Sequence, residues 1–137
     1  MSVSARCRAW TEWRKRMAEF STSIKDQSGV SVVYLNGYLD AHTAPMLESN
    51  FSELISGSKF KIVVNFKDLV YISSAGLGVF MAFIEKIREN EGDIKLTTMN
   101  DKVYNIFDLL GFPLLYEIYK TEDDAIKKFV ETDKLGK

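Results

Sequence analysis

The sequence has very little of two chemically useful residues: one cysteine, Cys7, and one histidine, His42, among 137 residues. A single cysteine cannot close an intrachain disulfide, so the fold must stand on its core. The missing disulfide framework fits a reducing, cytoplasmic setting. One cysteine and one histidine far apart give no zinc-type spacing, so neither a metal nor a cofactor is expected. Long apolar runs are missing too. None approaches the roughly 20 residues that cross a bilayer. The basic start is not followed by the apolar stretch of roughly 7–15 residues that a secretory leader needs. Charge of one sign is lacking as well: 18 basic residues face 19 acidic ones, for a net charge of −1. With no basic cluster outside the first 16 residues, direct nucleic-acid readout is not expected. Internal repeats and low-complexity segments are absent.

What is present suits a single domain. Apolar residues make up 46% and charged residues 27%, enough to bury a core without staples. Residues 1–16 stand apart, with Arg6, Arg8, Arg14, Lys15 and Arg16 against Glu12. That is a charge of +4 in a total of −1, so the other 121 residues carry −5. Two readings stand for this stretch. It is a basic arm on an acidic domain, with Trp10 and Trp13 at helical spacing, or it is a disordered lead-in to a domain that begins near Met17.

From Phe20 onward, strand-like and helix-like segments alternate. Ser21–Lys25 is a weak strand, Asp26–Gly29 a turn, and Val30–Leu35 a strand of β-branched and aromatic residues. Asn36-Gly37 has the form of a hairpin turn, but a helix pattern follows it. In that helix Thr43 is positioned to cap and Pro45 sits in the first turn, with Met46, Leu47, Phe51, Leu54 and Ile55 on one face. Lys61–Phe66 is a second strong strand. Ala75 to Asn90 is a helix, with Leu77, Phe80 or Met81, Ile84 and Ile87 at helical spacing, and Gly92 beyond it. Ile94–Met99 is a strand, and Val103, Ile106, Phe107 and Leu110 mark a helix stopped by Gly111 and Pro113. Leu114–Tyr119 is a further strand, and Thr121 caps a last helix that opens with Glu122, Asp123 and Asp124. The order predicts an α/β domain: a mixed, mostly parallel sheet of about five strands packed with about four helices.

The stretch LVYISSAGLGVF, Leu69–Phe80, places Ser73 and Ser74 between a strand and a helix. That turn falls at the C-terminal edge of the sheet, where open α/β sheets hold ligands. A helix N-terminus offers free N–H groups to an anion, or to a phosphate on the serine itself. A helix cap with incidental glycines accounts for the same residues. The motif is not GxxxxGK[ST], for no lysine follows, and not GxSxG, for the flanking glycines are misplaced. A Ser74, His42 and Asp40 set can be drawn on paper, but nothing specifies an oxyanion hole, so a hydrolase is not the reading.

Two segments together, GYLDAHTAP (Gly37–Pro45) and LVYISSAGLGVF, resemble the signature regions of the STAS domain, in the branch of the bacterial anti-sigma factor antagonists. The similarity runs from Phe20 to Val130 and includes IFDLLGF, Ile106–Phe112. On this resemblance the STAS domain spans 17–132, with an N-terminal extension at 1–16 and a tail at 133–137. Ser74 falls on the serine that a partner kinase phosphorylates, and Asp40 on the aspartate of the family's G-x-L-D segment. Ser73 replaces a frequent aspartate, and Ala75 stands where a second hydroxyl is common. The resemblance implies partner contacts from Asp40, Ser73, Ser74, Ala75, Gly76 and Leu77. It implies a protein that is not an enzyme. Unphosphorylated, it binds an anti-sigma factor with serine kinase activity and releases the sigma factor. Phosphorylation on Ser74 switches binding off, and a metal-dependent serine/threonine phosphatase resets it. Family members that lack the phosphate cycle keep a similar S-A-G turn. A non-phosphorylated STAS scaffold, or a transporter-associated STAS subunit, is therefore the alternative. A ligand or nucleotide sensor using the same helix N-terminus is a third.

Overall fold

The computed structural model describes residues 20–135. Residues 1–16, the basic extension, lie outside the described residues. Five strands form one sheet in the order β1 (Ser21–Gln27), β2 (Val30–Leu39), β3 (Lys61–Ile72), β4 (Asp93–Thr97) and β5 (Ile118–Tyr119). β1 runs antiparallel to β2, and the other neighbours are parallel. Four helices connect or follow the strands: α1 (Ala44–Ser56), α2 (Ser74–Glu89), α3 (Asp101–Leu109) and α4 (Glu122–Leu135). This is the α/β domain with a mostly parallel sheet that the alternating pattern implied.

The two faces follow from the strands' period of two. Ile62, Val64 and Phe66 of β3 point into the larger core, with Leu47 and Phe51 of α1, Phe80 and Ile87 of α2, and Phe107 of α3. Val63 points the other way and, with Val30 and Val32, meets Ala125, Ile126 and Phe129 of α4. The larger core is threaded by edge-on rings: Phe66 and Phe80 each approach Phe107, at 5.4 and 6.2 Å between centroids.

Three readings of the sequence change. Asn36-Gly37 is not a hairpin turn. β2 passes through it, Gly37 has φ +99°, and the pairing with β3 shifts register on both sides of this pair. An Asn-Gly pair makes a hairpin where a strand returns to pair beside it, but here β1 and β3 occupy both edges of β2. The hairpin lies earlier, at Ser28 and Gly29, both with positive φ, between Gln27 and Val30. The expected strand Leu114–Tyr119 is a 3-10 turn at Phe112–Leu114 followed by two strand residues. Phe112 and Tyr116 stack at helical spacing and turn inward, which takes this segment out of extended geometry. β3 extends six residues beyond Phe66 to Ile72, because its later half pairs with the continuation of β2.

Candidate functional site

β2 and β3 end side by side. Leu39 pairs with Ile72, and the Ser73 N–H donates to the Leu39 carbonyl at 2.9 Å. Asp40 and Ser73 therefore leave adjacent parallel strands at the same C-terminal edge.

Ser73 is the N-cap of α2. Its backbone is extended (φ −99°, ψ 173°), and its hydroxyl accepts from the Gly76 N–H at 3.4 Å, a long capping bond. Ser74 is the first helical residue and is exposed, as is Ala75. The first turn of α2 holds no acidic side chain, so the positive helix end is not neutralised from within. Gly76 is buried against the strand ends. A Cβ there would sit 2.7 Å from Leu39 Cγ and 3.0 Å from Ile72 Cγ1, so close approach requires glycine. At Gly78 nothing lies within 4 Å of such a Cβ. Leu77 is 4% exposed and belongs to the core, so its side chain is withheld from the surface.

Asp40 is held inside its own turn. Its Oδ1 accepts from the His42 N–H at 2.9 Å and the Thr43 N–H at 3.2 Å. The Thr43 hydroxyl donates to the Tyr38 carbonyl at 2.8 Å and accepts from the Asp40 N–H at 2.9 Å. Thr43 occupies the N-cap position of α1 but makes no side-chain capping bond there. The carboxylate of Asp40 thus satisfies the amides of the turn that leads into α1, while the Ala44 N–H, the first of the helix, donates to the Asp40 backbone carbonyl at 2.8 Å. Among the described residues no His/Cys/Asp/Glu group could hold a metal ion.

The helical spacing leaves Phe80 and Met81 as alternatives for the buried face of α2. Phe80 is fully buried, whereas Met81 is 53% exposed. Ser74, Gly78 and Met81 follow i, i+4, i+7 spacing, which puts them on one exposed face of α2. From Ser74 to Ile84 this helix carries no charged residue. Met46 in the first turn of α1, and Val70 and Tyr71 at the end of β3, are also exposed. The α2 face around Ser74 therefore carries no charge and is partly apolar, with hydroxyls and helix N–H groups at its tip and the Asp40 carboxylate beside it on the neighbouring strand end. It is suited to a protein surface.

The STAS domain profile matches residues 21–125. The chain belongs to the STAS domain family. This STAS protein is 31% identical over 99 residues to the anti-sigma F factor antagonist of Paenibacillus polymyxa, covering 72% of this chain and 85% of that one. It is 24% identical over 108 residues to the anti-sigma-B factor antagonist of Bacillus subtilis, covering 78% and 97%. Its fold matches the crystal structure of an anti-sigma factor antagonist from Mycobacterium paratuberculosis with a TM-score of 0.74 at 28% identity, covering 80% and 92%. Among the described residues no helix is long and apolar enough to cross a membrane.

Proposed function

We propose that this STAS protein is an anti-sigma factor antagonist switched by phosphorylation of Ser74. The observation that carries the reading is the division of labour between the two serines. Ser73 caps α2, so Ser74 stands exposed at the first helical position and can be modified without removing the cap. Unphosphorylated, the neutral edge of Ser74, Ala75 and Met81 docks on an anti-sigma factor that is also a serine kinase, and the sigma factor is released. Asp40 and Ser73 shape the backbone of this edge, and Gly76 and Leu77 seat α2 on the strand ends behind it. Phosphorylation adds about −1.5 to −2 charges at one point. The helix N-terminus accommodates that charge, but a docked interface must desolvate it. Binding is lost while the fold persists. A metal-dependent serine/threonine phosphatase restores the hydroxyl. The chemistry belongs to the partners, in the cytoplasm, and this chain is their substrate.

The test is binding to the cognate anti-sigma factor kinase with ATP, by calorimetry. Wild type loses affinity as phosphate accumulates, whereas Ser74→Ala keeps its initial affinity throughout. Equal loss in both would remove Ser74 from the switch. No change in either would favour a scaffold without a phosphate cycle.

A further inference from the structure

A cavity of about 630 Å³ opens at the far edge of the sheet, beside β5 and the start of α3. β3, which carries the Ser74 turn, lies two strands away, so this site is separate from the proposed switch. Its volume is within the range of about 300–1,000 Å³ typical of small-molecule sites. Met99, Pro113, Tyr104 and Tyr116 give it an apolar and aromatic lining. Three charged side chains also line it: Asp101, Glu117 and Lys120. Glu117 is already engaged. One of its carboxylate oxygens accepts from Lys95 Nζ, and the other accepts from the Tyr119 hydroxyl at 2.8 Å. Asp101, Glu117 and Lys120 are all exposed; with Glu117 committed to Lys95 and Tyr119, Asp101 and Lys120 remain as one lining charge of each sign. Asp101 is the first residue of α3, and its full charge outweighs the roughly half charge of that helix end.

The geometry points to a binding site for a small aromatic zwitterion, from an aromatic amino acid to a dipeptide in size. The ring lies against Tyr104, Met99 and Pro113, with the buried Tyr116, itself stacked on Phe112, forming the floor; the ammonium faces Asp101, and the carboxylate faces Lys120. A ligand lacking the ring loses the apolar contacts. A ligand lacking one charge loses one exposed ion pair.

Three probes resolve these contributions in amide-resolved NMR titrations of the full chain: tryptophan, tryptamine and indole-3-acetate. Tryptophan should give saturable shifts confined to residues around the cavity. Asp101→Asn should weaken tryptophan and tryptamine by about two- to fivefold and leave indole-3-acetate unchanged. Lys120→Gln should weaken tryptophan and indole-3-acetate and leave tryptamine unchanged. Tyr104→Ala should weaken all three. All three substitutions are at exposed positions, and the spectra themselves report whether each variant is folded. Non-saturable shifts with tryptophan, shifts centred away from β5 and α3, or equal responses in wild type and both charge variants would overturn the assignment.

Discussion

At the residue scale, Ser73 and Ser74 are neighbours with separable tasks. Ser73→Ala removes the cap of α2. Because its bond to the Gly76 N–H is long, at 3.4 Å, the loss should fall near the low end of the usual range, about 0.5–1 kcal/mol. Ser74→Ala should change stability by less than about 0.5 kcal/mol. Urea unfolding of the two variants checks the division directly. The glycines two residues apart should respond in opposite directions. Gly76→Ala drives a Cβ into Leu39 and Ile72 and should cost about 1–3 kcal/mol. Gly78→Ala meets open space in a helix interior and should stabilise by up to about 1 kcal/mol. The sequence made a serine cap legible because capping is local chemistry, whereas the close approach of Gly76 to Leu39 on the neighbouring strand required the fold. Met81 was not legible either. Phe80 and Met81 both satisfy a loose helical period, and the packing of α1 decides between them, with Phe51 edge-on to Phe80 at 5.7 Å. Asp40 was legible only as the aspartate of the G-x-L-D segment. That its carboxylate faces the His42 and Thr43 amides required the backbone of the turn.

At the element scale, strands flanked by strong β-branched runs were readable, and those whose pairing depends on distant partners were not. The second halves of β2 and β3 support each other across a register shift, so neither half announces itself alone. β5 is short because Phe112 and Tyr116 commit the preceding turn to the core. What anchors β5 and α4 is Lys95, buried on β4 at 4% exposure. It pairs with Asp93 at 3.3 Å and with Glu117, and its ammonium lies 4.5 Å from the Phe129 ring centroid. Partial burial raises the Glu117 carboxyl, but hydrogen bonds from Lys95 and Tyr119 and the Lys95 charge outweigh it, holding the group below its ordinary value of 4.5. A carboxyl lowered by folding contributes stability above its unfolded pKa, and that contribution disappears as the pH falls through the folded value. Urea midpoints taken between about pH 7 and pH 3 should therefore decline in wild type with a component that Lys95→Met removes. At neutral pH the Lys95→Met protein should remain folded. Glu117 is about half exposed and can be solvated, and an apolar chain of similar length fills the space under Phe129.

At the scale of the whole molecule, the α/β order was legible from alternating periodicity, and the family from two short segments on adjacent strand ends. Sequence alone could not show how the exposed residues combine into surfaces. The fold separates two such surfaces: an uncharged face of α2 at Ser74, and a cavity at β5 lined by aromatic residues and by Asp101, Glu117 and Lys120. A phosphate at Ser74 meets a helix N-terminus with no acidic residue in its first turn. Ser74→Glu should therefore leave the thermal midpoint within a few degrees of wild type, while weakening partner binding. Scanning calorimetry beside a binding titration checks both halves.

The most direct measurement is phosphosite mapping by mass spectrometry on the protein purified from its native cells, with Ser74→Ala as control. Phosphate on Ser74 should rise and fall with growth conditions and be absent from the Ser74→Ala protein. Contradiction would be complete coverage of the Ser73–Ser74 peptide, across conditions in which the partner kinase is active, with no phosphate at Ser74, or phosphate mapped to Ser73 instead.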